Sequence, residues 1–174
     1  MKESPKVEVL ISAMNQEDFS ICESTRIQSD CLIINQCEKD SVECVHKDFG
    51  TLRKISTTER GLSRSRNMAL KYAKGDFCLL ADDDEVLVDE YNKRIIESFD
   101  RNPKADIICF QIKSPTKRYA NKQRRVGMLD ALKISSWQIC VRRKRVSDAG
   151  VQFDIKLGSG TPQGFGEEIK FLQD

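Results

Sequence analysis

Residues 74–86 read KGDFCLLADDDEV. A short apolar run at 77–81 leads directly into three carboxylates at 82–84, followed by a fourth at Glu85. Short apolar runs of this kind are typical of buried strands. Neighbouring carboxylates repel one another, so crowding them weakens a fold unless a cation or solvent offsets the repulsion. The stretch therefore predicts a buried strand with a charged site at its carboxyl end.

Strand-like and helix-like segments alternate on both sides of this stretch. Apolar, β-branched runs at 7–12 and 31–35 predict buried strands, and we expect Ser63 to cap the helix that follows them. The other predicted elements are helices at 61–75, 88–103 and 166–174, strands at 105–113 and 135–143, and weaker strands at 42–46 and 52–57. The alternation predicts an α/β fold with a mostly parallel central sheet flanked by helices, as a single domain over residues 1–174.

Composition indicates a water-soluble chain. Hydrophobic residues make up 39% and charged residues 32% of the 174 residues, and the formal net charge is +2. No apolar run approaches membrane-spanning length and the N-terminus lacks a secretory apolar region, so we expect a cytoplasmic protein. The seven cysteines include no C-x-x-C pair. We interpret them as reduced, mostly buried thiols instead of a disulfide framework or a zinc site.

The carboxylate cluster has two interpretations. Side chains alternate along extended backbone, so Asp82 and Asp84 would point the same way and present oxygens to one hard cation. Mg²⁺ or Mn²⁺ suits such a pair, because these ions take one or two carboxylates and complete their shell with water and phosphate oxygens. An EF-hand is excluded because its sixth loop position, which requires glycine, is Leu87 here. The alternative is a solvated acidic turn ahead of the next helix.

Residues 61–87, GLSRSRNMALKYAKGDFCLLADDDEVL, carry a wider pattern. A helix with G-x-S-x-x-R-N followed by a strand ending in D-x-D resembles the central signature of family 2 glycosyltransferases, which have the GT-A nucleotide-sugar fold. Residues 134–146 and 153–172 are similar to the later strand and acidic segment of that family. The resemblance extends from Val7 to about Leu172.

The resemblance implies roles for particular residues. The turn after the first strand would hold the base and ribose of a nucleotide, Asp82 and Asp84 would bind the metal, and Glu167 and Glu168 would form the acidic pair. The second acid, Glu168, is the implied base that deprotonates the acceptor hydroxyl. The implied nucleotide-binding residues are Ser12, Ala13, Asn15, Asn35, Arg66, Asn67, Asp82 and Asp83.

The implied reaction is sugar transfer from a nucleotide-diphosphate donor to a saccharide or lipid-linked saccharide. It would be inverting and would depend on Mn²⁺ or Mg²⁺, and the pathway would be bacterial cell-surface polysaccharide synthesis. Two other hypotheses remain open: a nucleotide-sugar-binding module without turnover, and another metal-dependent nucleotidyl or phosphoryl transferase. The second would need a phosphate cradle other than G-x-x-x-x-G-K-[ST], which the sequence lacks.

The chain departs from the family pattern in three places. Asn35 and Gln36 stand where most members have an aspartate pair, the later motif reads G-E-E, and the sequence ends at Asp174. Uncharged amides at 35 and 36 leave the preferred base open. The short distance from Glu168 to Asp174 predicts that the C-terminal segment of the family is missing.

Basic residues concentrate at 113–125 and 142–145. No nucleic-acid motif accompanies them, so we expect no nucleic-acid partner. Two interpretations remain: a solvated flexible loop, and a peripheral contact with the anionic inner face of a membrane.

Overall fold

The computed structural model describes residues 4–113, 118–119 and 122–174. In these residues strands and helices alternate around one sheet. The strands are β1 (Val7–Met14), β2 (Asp30–Gln36), β3 (Ser41–Lys47), β4 (Gly50–Thr57), β5 (Phe77–Asp82), β6 (Ile107–Cys109) and β7 (Ile139–Arg142). The helices are α1 (Ser20–Ser24), α2 (Leu62–Tyr72), α3 (Tyr91–Arg101), α4 (Met128–Ala131), α5 (Arg143–Ala149) and α6 (Glu167–Gln173), with a 3₁₀ turn at Ser136–Gln138.

The strand order is β3-β4-β2-β1-β5-β7-β6. The four central strands, β4, β2, β1 and β5, are parallel, and Ile11 of β1 lies between Ile33 of β2 and Ala81 of β5. The flanking strands β3, β7 and β6 pair antiparallel. The predicted α/β fold is confirmed, and the carboxyl ends of the parallel strands meet at one edge.

Both faces of the sheet are buried, because alternate side chains of each central strand point to opposite faces. On one face Val9, Ile11 and Ile33 pack with Phe99 of α3. On the other face the next residues of the same strands, including Leu10 and Leu32, pack with residues of α2, α5 and α6. Burying each such side chain contributes about 1.5–3 kcal/mol. This two-sided core holds α2 and α6 against the sheet.

The structure corrects three local predictions. Gly61 occupies the start of α2 and no side chain caps it, whereas the Ser63 hydroxyl donates to the Leu157 carbonyl at 2.8 Å. The strands predicted at 105–113 and 135–143 shorten to β6 and β7.

All seven cysteines are free thiols, as predicted. No helix among the described residues is long and apolar enough to cross a bilayer.

Candidate active site

Asp82 ends β5, directly opposite Ser12 of β1. Asp83 and Asp84 lie in a turn and are exposed, whereas the Asp82 side chain is 24% exposed. The strand therefore ends at Asp82. The alternation of side chains that would point Asp82 and Asp84 the same way does not continue to residue 84. The predicted charged site does lie at the carboxyl end of the strand.

A buried arginine on α2 pairs with acids from two parts of the chain, the end of β5 and the start of α6. The Arg66 side chain is 3% exposed. Its Nη1 donates to Oε1 of Glu167 at 3.1 Å and to Oε1 of Glu168 at 3.3 Å. Its Nη2 donates to Oδ1 of Asp82 at 3.2 Å and to the Ser136 hydroxyl. Arg66, Asp82, Glu167 and Glu168 are called the acid cluster below.

The acid cluster has more carboxylates than cations. Burial raises the pKa of the Asp82 carboxyl, and the adjacent Arg66 charge opposes that rise. Burial likewise raises the pKa of the Glu168 carboxyl. Oε2 of Glu167 is buried and has no hydrogen-bond partner among the described residues. A cation or a proton donor entering the cluster would relieve this excess of buried acceptors.

Glu85 is a further carboxylate at this edge. Its Oε2 accepts a hydrogen bond from the Asp82 backbone N–H at 2.6 Å. Burial raises the pKa of the Glu85 carboxyl from 4.5 to about 7. A carboxyl whose pKa is raised by folding contributes stability that is present below the unfolded pKa and lost as the pH rises through the folded pKa.

Glu85→Gln is therefore expected to raise the melting temperature more at pH 8 than at pH 5, in buffer with a chelator. Glutamine is neutral at both pH values and keeps a carbonyl acceptor for the Asp82 N–H. Glu97→Gln, an exposed change on α3, serves as the control. Equal shifts at the two pH values would show that Glu85 titrates normally in the folded chain.

Gly158 lies in the loop that precedes α6 and packs against Glu167 of the acid cluster. Its φ is +95°, and an added Cβ would lie 2.9 Å from Cδ of Glu167. Gly164 in the same loop has φ +60° but open space around the Cβ position. Gly158→Ala is expected to lower the free energy of unfolding by about 1–3 kcal/mol, and Gly164→Ala by about 1 kcal/mol. Chemical denaturation measures both, and equal losses would remove the steric role of Gly158.

Two amide side chains predicted to bind the nucleotide, those of Asn35 and Asn67, make hydrogen bonds within the protein. Asn67 donates to the Phe153 carbonyl and accepts from the Phe153 N–H, both at 2.8 Å. Buried Asn35 accepts from the Gln16 N–H at 2.8 Å and donates to the Gln16 carbonyl and the Ser56 hydroxyl. These contacts hold both amides in place, and the contact of Asn35 and Asn67 with a nucleotide stays a prediction.

The turn predicted at 12–15 is mostly strand, because β1 extends through Met14 and only Asn15 follows it. Ser12 is buried and its hydroxyl accepts from Ser65 of α2 at 2.8 Å. Ala13 is buried, whereas Asn15 is exposed with φ 53°. Asn15 is therefore the one of these three residues whose side chain faces solvent.

Sequence reasoning missed two partners of Arg66. Ser136 is 1% exposed and accepts from Arg66, and the Phe153 ring centroid lies 5.6 Å from the guanidinium carbon. Phe153 also stacks on Phe171 of α6 at 4.2 Å. Both residues lie in the segments that resemble the family, 134–146 and 153–172, but no local pattern assigns them a role, so only the tertiary fold identifies their contact with Arg66.

A groove of about 450 Å³ opens at the start of α2. Exposed Arg64 and Lys156 line it together with Arg60. The Arg60 guanidinium already donates to the Cys37 and Thr57 carbonyls and pairs with Glu38. Arg64 therefore faces an open basic groove.

The donor set at this edge suits a hard divalent cation, because it consists of carboxylate oxygens. Among the described residues, no group of three or more histidine, cysteine or acidic side chains is placed to hold an ion. Mg²⁺ and Mn²⁺ need only one or two carboxylates when a phosphate supplies further oxygens. The predicted pair Asp82 and Asp84 supplies two carboxylates at this edge, one half-buried and one exposed.

Comparison with known proteins gives consistent matches. The family described as Glycosyl transferase family 2 matches residues 7–160. An "Uncharacterized glycosyltransferase" of Haemophilus influenzae is 26% identical over 90 residues, which cover 51% of this chain and 31% of the relative.

Solved structures match over most of the chain. S. aureus TarS 1-349 has a TM-score of 0.65 at 18% identity, covering 95% of this chain and 55% of TarS 1-349. Its complex with UDP-GlcNAc has a TM-score of 0.64 at 18% identity, with 91% and 51% covered. A mannosyltransferase of Pyrobaculum calidifontis in complex with GDP-Man and Mn²⁺ has a TM-score of 0.55 at 12% identity, with 88% and 49% covered. The fold is thus of the GT-A type, and the chain spans about half the length of these structures.

Proposed function

The chain belongs to glycosyl transferase family 2, and we propose that it transfers a sugar from a nucleotide-diphosphate donor to an acceptor hydroxyl. The observation that carries the proposal is the acid cluster. It joins the helix motif, the strand-end aspartate and the late acidic pair within 3.1–3.3 Å of one buried guanidinium. Two structural neighbours hold UDP-GlcNAc and GDP-Man, which supports a nucleotide-sugar donor.

Glu168 is the proposed base. Its side chain is 20% exposed, whereas that of Glu167 is 5% exposed, so Glu168 is the more accessible of the pair. Burial raises the pKa of Glu168, which makes the carboxylate a better proton acceptor. Arg66 orients both glutamates through Nη1. Glu168 would take the proton of the acceptor hydroxyl, while Arg66 and Glu167 hold the Glu168 side chain in place.

Asp82 and Asp84 would hold Mn²⁺ or Mg²⁺. When bound, the ion supplies charge stabilisation for the departing nucleoside diphosphate. Asp84 is exposed and accessible to a diphosphate, whereas Asp82 accepts a hydrogen bond from Arg66. The exposed Arg64 in the basic groove would add a second cation near the start of α2, where backbone N–H groups also favour anions.

The finer features of the reaction belong to the same proposal. One displacement with a carboxylate base opposite the leaving group inverts the anomeric carbon. We assign the acceptor to saccharides or lipid-linked saccharides of bacterial surface polysaccharide synthesis, on the cytoplasmic side. The predicted surroundings of the nucleotide remain those named from the sequence: Ser12, Ala13, Asn15, Asn35, Arg66, Asn67, Asp82 and Asp83.

Release of nucleoside diphosphate tests the proposal. The full chain is incubated with UDP-, GDP- and CDP-sugars and Mn²⁺, with and without a mixed saccharide acceptor pool. We expect one donor to be turned over and the product to carry the sugar with inverted configuration, as read by NMR. Donor binding without turnover would favour the binding module, and release of nucleoside monophosphate would favour a phosphoryl or nucleotidyl transferase.

A further inference from the structure

Exposed apolar side chains concentrate around α4. Val126, Met128, Leu129 and Leu132 are 40%, 72%, 75% and 60% exposed, and they lie within seven consecutive residues. The neighbouring Ala131 is 2% exposed and faces the protein. Single exposed apolar residues are ordinary, whereas a contiguous group marks a contact surface.

Basic residues surround this apolar group. Lys122, Arg125 and Lys133 are exposed, and Arg124 pairs with Asp130. Asp130, the one acid in residues 122–133, also accepts from the Gly127 N–H at the start of α4. The segment 122–133, called the α4 patch below, therefore combines apolar side chains with uncompensated positive charge. That combination is typical of elements that lie in the interface of an anionic bilayer.

The α4 patch lies at the same end of the sheet as the acid cluster. α4 packs against α6, which carries Glu167 and Glu168. The 3₁₀ turn that follows α4 places Ser136 on Arg66. A surface that met the α4 patch would therefore lie beside the proposed acceptor side.

The second basic stretch, 142–145, lies at the opposite end. Arg142 pairs with Phe77 at the start of β5, and Arg143 donates to the Gly75 carbonyl at 2.6 Å. Arg145 pairs with Asp106 at 2.8 Å. These contacts place 142–145 at the end of the sheet away from the acid cluster, and the membrane contact predicted for this stretch stays a prediction. Residues 114–117 and 120–121 of the other predicted stretch lie outside the described residues.

We propose that the α4 patch docks on the surface of an anionic lipid bilayer and presents the acid cluster to lipid-linked acceptors. Positive charge attracts the segment to the headgroups, and the exposed side chains of α4 enter the boundary with the acyl chains. The proposal rests on the proposed function only for the identity of the acceptor. Vesicle binding itself needs neither donor nor acceptor, so the two can fail separately.

Co-sedimentation of the full chain with vesicles tests the docking. Vesicles of phosphatidylglycerol and phosphatidylcholine are compared with vesicles of phosphatidylcholine alone, at 50 and 300 mM salt. We expect binding to the anionic vesicles at low salt and a loss of about tenfold or more at high salt. Calorimetry with nucleoside diphosphates runs in parallel as an independent readout of the site.

Two variants and two matched controls locate the contact. Leu129→Gln with Leu132→Gln removes apolar contact. Its control is Val42→Gln with Phe49→Gln, which changes one exposed apolar residue in the edge strand β3 and one just after it. The charge variant replaces Lys122, Arg125 and Lys133 with glutamine, and its control replaces the exposed Lys39, Lys47 and Lys104 with glutamine. We expect each α4 variant to weaken vesicle binding about tenfold or more and each control to keep it.

Several outcomes would overturn the proposal. These are no binding to anionic vesicles at low salt, equal binding to neutral vesicles, and equal binding by the variants and their controls. Light scattering tests one more outcome. If the chain self-associates, does not bind vesicles, and loses the self-association on changing Leu129 and Leu132, the α4 patch contacts a second copy of the chain instead. Unchanged circular dichroism of each variant shows that it is folded.

Discussion

Replacing Arg66 with methionine is expected to lower the free energy of unfolding by about 3–5 kcal/mol. Methionine has a similar reach but no charge, so the buried Glu167 and the half-buried Asp82 would lose their cation. Desolvated carboxylates that repel one another would remain. Part of that cost would be relieved by protonation, so the loss should be larger at pH 8 than at pH 5.

Urea denaturation of Arg66→Met and Arg64→Met measures this effect. Arg64 lies two residues earlier on the same helix and is exposed, so its replacement should change stability by about 0.5 kcal/mol or less. The double change Arg66→Met with Glu167→Gln should recover part of the loss, because it removes a stranded carboxylate. Similar stabilities of the two single variants would mean that the acid cluster does not depend on Arg66.

Glu168→Gln is expected to slow sugar transfer by about 10²–10⁴-fold while donor binding is kept. The amide keeps the size of the carboxyl group and an oxygen for Arg66, but it does not accept the proton of the acceptor hydroxyl. The effect should fall on turnover and not on the apparent affinity for donor. Initial rates at saturating donor, with calorimetry of donor binding, separate the two quantities.

Glu97→Gln is the matched control for this change, since it alters an exposed glutamate on α3 away from the acid cluster. Its rate should equal that of the unchanged chain. A Glu168→Gln chain that transfers sugar at the full rate would exclude Glu168 as the base. A loss of donor binding in the same variant would instead place Glu168 among the donor contacts.

The central strands could be predicted because their apolar runs are continuous. Residues in β1, β2 and β5 are buried on both faces, and such strands have a recognisable local pattern. The limits of β6 and β7 could not be predicted. Residues beyond these short strands are apolar enough to extend them. β7 pairs with only three residues of β5, Phe77, Cys78 and Leu79, so the length of β7 depends on tertiary pairing.

The acid cluster was only partly predictable. Its four charged residues belong to the motifs of the family resemblance, which implies a nucleotide contact for Arg66 and Asp82 and a separate acidic pair of Glu167 and Glu168. That Arg66 joins all three acids is a tertiary property. The internal hydrogen bonds of Asn35 and Asn67 were not predictable, because an amide that bonds to the backbone and an amide that contacts a base have the same chemistry. The turn after Asp82 also removed the expected alignment with Asp84, since residues 83–84 leave the extended conformation.

Calorimetric titration with UDP, GDP and CDP, each with and without Mn²⁺, tests most directly whether this edge of the sheet binds a nucleoside diphosphate through a metal. We predict that one diphosphate binds only with Mn²⁺, stabilises the fold by about 2.7 kcal/mol at 100 times its Kd, and loses both effects in Asp84→Ala. Asp89→Ala, a nearby exposed change, should leave them intact. Metal-independent binding, or equal binding by the Asp84→Ala chain, would contradict the account.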